Sequence, residues 1–157
     1  MSFTYLNRRN AGLHSKLPRH EIKGKKGMRE TNFELAGDFM EAFGQEVLDV
    51  PTWPDFSTRE LRLELIREEY EELEEAIENR DMTGVADALT DLLYVIYGAG
   101  HAFGIDLDAC YTEVHSSNMS KLGEDGRPLK REDGKVLKGP NFFEPELEMI
   151  LAQQKGA

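Results

Sequence analysis

Residues 57–103 read STRELRLELIREEYEELEEAIENRDMTGVADALTDLLYVIYGAGHAF, and this stretch decides the fold. It opens on Ser57-Thr58-Arg59-Glu60, a serine followed three residues later by a glutamate, which is the sequence of a helix capping box. The apolar residues that follow recur every three or four positions, the period of an α-helix. The stretch therefore predicts a long helix to about Arg80 and a second one directly after it.

Further helices are predicted on both sides of this pair. The predicted elements are a first helix over 32–45, the long helix from Ser57, a third from Asp81 or Thr83 to about Phe103 with Gly104 as its stop, a fourth from Asp106 or Asp108 to about Lys121, and a short last helix from Pro145 to about Gln153. A near repeat, 125–130 and 133–138, has Asp-Gly turns and predicts a loop or small hairpin. Together these elements predict an all-α four-helix bundle.

The 157 residues suggest one domain, and their charge is unevenly distributed. The net charge is −11, residues 1–27 carry +6, and the remaining residues therefore carry −17. We interpret 1–27 as a basic, flexible tail and 28–157 as a single domain. An acidic domain disfavours nucleic acid as a partner, although the tail leaves contact with nucleic acid or a membrane open as an alternative.

The same composition argues for a cytoplasmic protein. A single cysteine, Cys110, excludes an intrachain disulfide and fits a reducing compartment. The N-terminus has no apolar segment typical of a secretory signal. The longest uncharged apolar stretch, Leu92 to Ile105, is too short to span a bilayer and predicts a buried helix.

The long second helix places carboxylates where apolar residues are expected. Its apolar stripe consists of Leu63, Ile66, Tyr70, Leu73 and Ile77, which Leu61, Leu65 and Ala76 extend on one flank. Glu69 and Glu72 lie within that flank, and Glu68 lies at its edge. A glutamate-rich helix is usually only a solvated face, but a carboxylate on an apolar face needs a cation.

The third helix repeats the anomaly. Its apolar stripe consists of Val85, Leu89, Leu92 and Ile96, and Asp87 and Asp91 lie together one turn apart on the other side. An aspartate in the first turn stabilises a helix dipole, which accounts for Asp87 but not for Asp91. Antiparallel packing of the two helices would bring Glu69 and Glu72 opposite both aspartates. An all-oxygen cluster of this kind suits Mg²⁺ or Mn²⁺, and the lack of any Glu-x-x-His argues against a di-iron bundle.

At these residues the sequence resembles the MazG-like, all-α NTP pyrophosphohydrolase superfamily, which includes all-α dUTPases and phosphoribosyl-ATP pyrophosphohydrolase. The resemblance covers about residues 32–150. The segment 68–72, Glu-Glu-Tyr-Glu-Glu, matches the family's Glu-Glu-x-x-Glu, and 91–95, Asp-Leu-Leu-Tyr-Val, matches the aspartate and apolar run of the next helix. The segment 113–121 and the Asp-Gly-Lys at 133–135 are also similar. One position departs, because Ala88 stands where the family has a glutamate.

The resemblance implies a Mg²⁺-dependent hydrolysis of a nucleoside triphosphate to the monophosphate and pyrophosphate, serving nucleotide-pool control. Glu69, Glu72 and Asp91 would hold the metal, with Asp87 replacing the missing glutamate from four residues before Asp91. Glu68 would complete the metal shell or orient the attacking water as a base. The implied assembly is a homodimer or a dimer of dimers.

Other polar and aromatic residues are candidates for substrate contacts. Asn118 and Lys121 continue the apolar face of the fourth helix, and Lys135 and Lys138 lie in the glycine-containing loop, so all four could meet phosphates. Trp53, Phe39 and Phe43 could stack on a base, although packing in the core is the simpler interpretation of these aromatics. His101 interrupts an apolar run and is interpreted as a core histidine.

Three alternatives stay open. The same scaffold could hydrolyse phosphoribosyl-ATP. The acidic domain could be a non-catalytic module that binds a basic protein or mimics DNA, in which case its carboxylates should be spread over the surface. The bundle could also bind metal without hydrolysing anything.

Overall fold

A computed structural model of the chain describes residues 30–156. Within this range the secondary structure is five α-helices and no strands: α1 (Asn32–Ala42), α2 (Phe56–Glu78), α3 (Met82–Phe103), α4 (Leu107–Met119) and α5 (Leu147–Lys155). The predicted all-α class is confirmed. The interpretation of 1–27 as a flexible tail lies outside the described residues.

Two helix starts differ from the prediction: α5 begins at Leu147 and not at Pro145, and the start of α2 also lies elsewhere. The cap of α2 is Asp55 and not Ser57, so the capping box predicted at 57–60 is wrong. The Asp55 carboxylate accepts a bond from the Thr58 amide at 2.7 Å and from the Ser57 hydroxyl at 2.8 Å. Since a carboxylate is a stronger acceptor than a hydroxyl, it starts the helix two residues earlier. The amide and hydroxyl donors lower the pKa of Asp55 below its usual value.

A capping box does exist, at α1. The Thr31 hydroxyl accepts from the Glu34 amide, and the Glu34 carboxylate accepts from the Thr31 amide at 2.7 Å. Of the alternatives at the other helix starts, Asp81 caps α3 and Asp106 caps α4. Gly104 ends α3 in the left-handed conformation, as predicted.

The segment between α4 and α5 follows α4 closely. The predicted repeat forms two turns, at 124–126 and 132–134, with isolated bridges Leu122–Pro128 and Lys130–Val136. Ser117 of α4 donates to the Phe143 carbonyl at 2.8 Å, and Ser120, the C-cap of α4, accepts from the Phe143 amide at 3.1 Å. The Glu113 carboxylate of α4 accepts from the Glu146 amide at 2.9 Å. Side chains of α4 therefore anchor this segment, and α4 packs against α5.

The helices α2 and α3 form the main packing interface, and α1 packs on α3. Contacts occur at intervals of seven residues on both helices. A side chain at Gly84 would meet the Ala76 Cβ at 3.1 Å, and one at Gly98 would meet the Arg62 guanidinium at 3.3 Å. Midway between these two layers Glu69 faces Asp91. The interface is therefore antiparallel, with the acidic pair between the layer of Ala76 and Gly84 and the layer of Arg62 and Gly98.

Two predictions about the core are wrong for the chain by itself. Leu63, Tyr70 and Ile77, the centre of the predicted α2 stripe, are 56%, 51% and 58% exposed. The stretch 92–105 is buried only in part, because Leu93, Tyr94 and Ile96 of α3 are exposed. These three α2 residues come one position after Arg62, Glu69 and Ala76, which face α3. One residue is a rotation of about 100° on a helix, so the three side chains point away from α3.

The described residues contain no single helix that is long and apolar enough to cross a membrane. The pair α3 and α4 meets the length and composition criteria only together, and the two helices are bent by 111°.

Candidate active site

Glu69 is the electrostatic centre of the candidate site. Its side chain is half-buried between α2 and α3, and its Oε2 is buried without a hydrogen-bond partner among residues 30–156. Burial, and then the charges of Glu72, Asp91, Glu68 and Asp87, raise the pKa of Glu69 to about 7. The five carboxylates nominated from the sequence therefore do share one neighbourhood.

A cavity extends from this neighbourhood toward the turn between α2 and α3. Its volume is about 250 Å³, and Glu72 and Asp87 line it from opposite helices. Its other lining residues are Glu75, Ala76, Asn79, Asp81 and Gly84. Ala88, which replaces the glutamate of the resembled family, is buried in the core at 2% exposure. Asp87, the residue before it, is exposed and lines the cavity.

The donor set fits a hard divalent cation by charge and chemistry. All five groups are carboxylates, which Mg²⁺ and Mn²⁺ prefer, and the buried Oε2 of Glu69 has no hydrogen-bond donor among residues 30–156. No three or more of the acidic, histidine or cysteine side chains in the described part of the chain stand in an assembled metal-binding geometry. The five carboxylates therefore fit a divalent cation by their charge and ligand type, and not by an assembled geometry.

Three of the four polar residues predicted to contact phosphates come together elsewhere. The Lys121 Nζ donates to the Asn118 Oδ1 at 2.6 Å, and the Nζ atoms of Lys121 and Lys138 lie 6.0 and 4.2 Å from the centre of the Phe142 ring. Lys135 is exposed after the second turn. This lysine group lies at α4, whereas Glu69 lies between α2 and α3.

Two of the three aromatic candidates, Trp53 and Phe43, are exposed, so their interpretation as core residues is wrong, whereas Phe39 is half-buried. Trp53 is 80% exposed and touches the Phe103 ring edge-on, with centroids 5.7 Å apart. The Arg59 guanidinium stands 5.8 Å from the Trp53 ring and 5.9 Å from the exposed Phe56 ring.

A second aromatic group stands beside Asp91. Phe43 is 68% exposed and stacks with Phe39 at 4.3 Å, and Phe39 meets Tyr94 edge-on at 5.4 Å. Tyr94 is one helical turn from Asp91. His101, in contrast, is a core residue as predicted, stacked on Phe33 at 3.8 Å with its Nε2 2.8 Å from the Phe33 carbonyl oxygen.

Sequence reasoning overlooked several residues around the site. Arg62 lies seven residues before Glu69 on the same face of α2, and it is buried at 8% exposure. The helical period alone could have found it, since seven residues are two turns. Arg59 and Phe56, beside Trp53, had no comparable signal, because neither interrupts an apolar pattern.

The comparisons with known proteins match the part of the chain that contains the candidate site. A family model described as phosphoribosyl-ATP pyrophosphohydrolase matches residues 36–118, more than half of the chain. That span contains all five carboxylates and ends on Asn118. An uncharacterized protein of Acanthamoeba polyphaga mimivirus is 35% identical over 104 residues, which are 64% of this chain and 39% of that protein. The chain thus spans well under half the length of this relative.

A solved structure from Exiguobacterium sp. 255-15, provisionally assigned as an NTP pyrophosphohydrolase, is 24% identical to the chain. The similarity covers 82% of this chain and 98% of that one, with a TM-score of 0.48.

Proposed function

Because the chain belongs to the phosphoribosyl-ATP pyrophosphohydrolase family, within the MazG-like all-α superfamily, we propose that it hydrolyses a nucleoside triphosphate to the monophosphate and pyrophosphate. The preferred substrate in this proposal is a deoxynucleoside triphosphate, and the role is nucleotide-pool control in the cytoplasm. The observation that carries the proposal is Glu69, whose buried, unpartnered oxygen faces a second helix amid four other carboxylates.

Glu69, Glu72, Asp91 and Asp87 are the proposed ligands of Mg²⁺ or Mn²⁺. Such an ion supplies positive charge for the triphosphate oxygens and lowers the pKa of a water. The chain's own contribution is to hold the carboxylates on two rigid helices that are packed closely through Ala76 and Gly84. This placement keeps the carboxylates in one neighbourhood despite their mutual repulsion.

Glu68 is the proposed general base. It neighbours Glu69 and is more exposed, so it can accept a proton from a water that attacks a phosphorus of the α–β phosphoanhydride. The new bond joins the water oxygen to phosphorus, the bridging P–O bond breaks, and pyrophosphate leaves. The alternative role of Glu68, as a further metal ligand, is retained.

The substrate contacts in the proposal are Trp53, Asn118, Lys121, Lys135 and Lys138. An exposed indole that an arginine and a phenylalanine flank is a surface suited to a base. The ammonium groups of Lys121 and Lys138 converge on Phe142 and offer charge-assisted bonds to phosphate oxygens. Lys135 stands apart from this group and is exposed after the second turn.

The arrangement disfavours an acidic interaction module. A module that mimics DNA would place its carboxylates in solvent, whereas Glu69 is half-buried at a helix interface that raises its pKa. Burial of a carboxylate among like charges costs free energy and therefore needs a functional reason. Phosphoribosyl-ATP is the second candidate substrate, which the name of the matched family favours.

The deciding experiment is pyrophosphate release from a panel of the common NTPs and dNTPs and phosphoribosyl-ATP, measured with Mg²⁺ and with EDTA. We expect release only with the metal, and fastest from one or a few dNTPs. Release from phosphoribosyl-ATP alone would support the second candidate. If a folded, Mg²⁺-supplied protein releases pyrophosphate from none of them, the hydrolase proposal is wrong.

The proposed assembly is a homodimer, formed through exposed apolar side chains of α2 and α3, here called the apolar face. On α2 the face consists of Leu63, Tyr70 and Ile77, spaced seven residues apart, and on α3 it includes Leu89, Leu93 and Ile96. Such a repeat on two antiparallel helices is what a four-helix bundle buries, and a second copy brings the identical face. A dimer of dimers stays within the proposal.

For this reason, Leu63→Arg is expected to convert the protein to monomers, because a charge would enter a buried apolar seam. Light scattering coupled to size exclusion measures the mass. Glu71→Arg is the matched control, since Glu71 is exposed and points away from the face. A wild-type protein that is monomeric at all concentrations contradicts the proposal, as does a Leu63→Arg variant that keeps the wild-type mass.

A further inference from the structure

Arg62 is a buried charge whose contacts point to the connection between α1 and α2. Its exposure is 8%, and burial lowers its pKa. Its Nη2 donates to the Gln45 Oε1 at 3.0 Å and approaches the Met40 sulfur at 4.0 Å. Its Nε is buried without a hydrogen-bond partner among residues 30–156. Gly98 leaves the room for the guanidinium, since a Cβ there would stand 3.3 Å from Nη1.

Such an arrangement costs free energy, because a buried guanidinium with an unsatisfied N–H is less favourable than a methionine of similar length. Within residues 30–156, the one strong bond that it makes is to Gln45, which follows α1. A bond from a charged donor is stronger than one between neutral groups. The hydrogen bond to Gln45 therefore offsets the cost of burying Arg62. The same bond holds the start of residues 45–54, here called the linker.

The remainder of the linker lies against the end of α3. The Leu48 amide donates to the His101 carbonyl at 3.0 Å, and the Thr52 amide donates to the Phe103 carbonyl at 2.9 Å. These are carbonyls of the last turn of α3, which a helix leaves unsatisfied. The linker then reaches Trp53, which packs on Phe103. Arg62 therefore holds the first residue of the linker, and the α3 carbonyls hold its middle.

We propose that Arg62 is a positioning residue, which clamps the linker through Gln45 and thereby fixes Trp53 where the nucleotide base binds. The assignment of Trp53 to the base rests on the proposed function. Arg62 does not act on the reacting atoms, since it lies two turns, about 10.5 Å, from Glu69 along α2. Its effect is on the binding of the substrate and not on the chemical step.

The test compares Arg62→Met, Gln45→Ala and Arg62→Lys with Arg67→Met. Arg67 is the matched control, because it lies on the same helix, is exposed and pairs with Glu64. The first readout is amide hydrogen exchange of Leu48 and Thr52. The second is the fluorescence anisotropy of Trp53, the one tryptophan of the sequence. The third is the split between KM and kcat for the best substrate of the panel.

Arg62→Met and Gln45→Ala are expected to speed exchange at Leu48 and Thr52 at least about fivefold and to lower the anisotropy. Amides in the middle of α2 and α3 should keep their protection. KM should rise roughly threefold to tenfold, with kcat within about twofold. Arg62→Lys should restore part of the effect, since an ammonium can also donate to Gln45, and Arg67→Met should change nothing.

Unchanged exchange and anisotropy in both Arg62→Met and Gln45→Ala would overturn the clamp. If Arg62→Met fails to fold, Gln45→Ala decides by itself, because it removes the acceptor and leaves α2 intact. Faster exchange with an unchanged KM would overturn the link to Trp53. If the chain hydrolyses no nucleotide, the proposed function fails, whereas exchange and anisotropy still decide whether Arg62 holds the linker.

Discussion

Glu69→Gln is expected to lower Mg²⁺-dependent pyrophosphate release by at least about 100-fold, the largest effect of any single substitution in this chain. The amide keeps the size of the side chain but removes the negative charge at the centre of the carboxylate neighbourhood. Loss of one ligand or charge-stabilising group at a reaction centre typically costs a factor of this order. The measurement is kcat/KM for the best substrate of the panel, with Mg²⁺ at saturation.

The same variant has a second, opposite effect that separates a lost function from a lost fold. In EDTA the Tm of Glu69→Gln should exceed that of the wild type, because the half-buried charge no longer faces Glu72, Asp91, Glu68 and Asp87. Added Mg²⁺ should raise the Tm of the wild type more than that of the variant, since a bound ion stabilises the folded state. Glu71→Gln, on the exposed side of α2, is the control for both measurements.

Two results would count against this role of Glu69. Activity within about threefold of the wild type would mean that the side chain does not serve the reaction. A lower Tm in EDTA would mean that Glu69 stabilises the fold, and its electrostatic description would then be wrong.

Gly104→Ala is expected to destabilise the protein by roughly 2–4 kcal/mol, the largest stability effect that we expect. Gly104 has φ of 65°, and a Cβ there would lie 2.1 Å from the Val50 carbonyl oxygen and 2.6 Å from its carbon. An alanine therefore meets both backbone strain and a clash with the linker. Thermal unfolding should show a Tm lower by roughly 5–15 °C.

Gly44→Ala separates the two causes. Gly44 has a similar φ of 69°, but a Cβ there would meet nothing within 4 Å. Its substitution should cost only the conformational strain, about 1 kcal/mol. If both variants lose the same free energy of unfolding, the close approach of the linker to the end of α3 contributes nothing to stability. That result would also weaken the argument that Arg62 positions Trp53 through the linker.

The helices and the acidic site could be predicted because both depend on local pattern. Glu69, Glu72 and Asp91 stood out as carboxylates at positions where the helical period calls for apolar residues. The structure brings their helices together in the antiparallel sense that the short connection requires. The start of α2 was less predictable, because Ser57 and Asp55 both offer a capping oxygen and only their geometry shows which one the Thr58 amide meets.

The location of the substrate contacts was harder to predict. Asn118, Lys121 and Lys138 were chosen one at a time, and the structure joins them at Phe142, a residue that no periodicity singled out. Their convergence depends on how the segment after α4 folds back, which Ser117 and Ser120 decide through bonds to Phe143. Bonds between residues more than twenty positions apart leave no periodic trace in a sequence.

The sequence by itself determined the all-α class and the extent of the two long helices, because helical periodicity and capping act over a few residues. Only the tertiary structure decided which face of α2 meets α3. Hydropathy favours the stripe through Leu63, Tyr70 and Ile77, but the interface runs one residue earlier, through Arg62, Glu69 and Ala76. The physical reason is that close packing of two helices needs small residues on both of them, here Ala76, Gly84 and Gly98. Hydropathy indicates only that a face is apolar enough to be buried, and not which surface buries it.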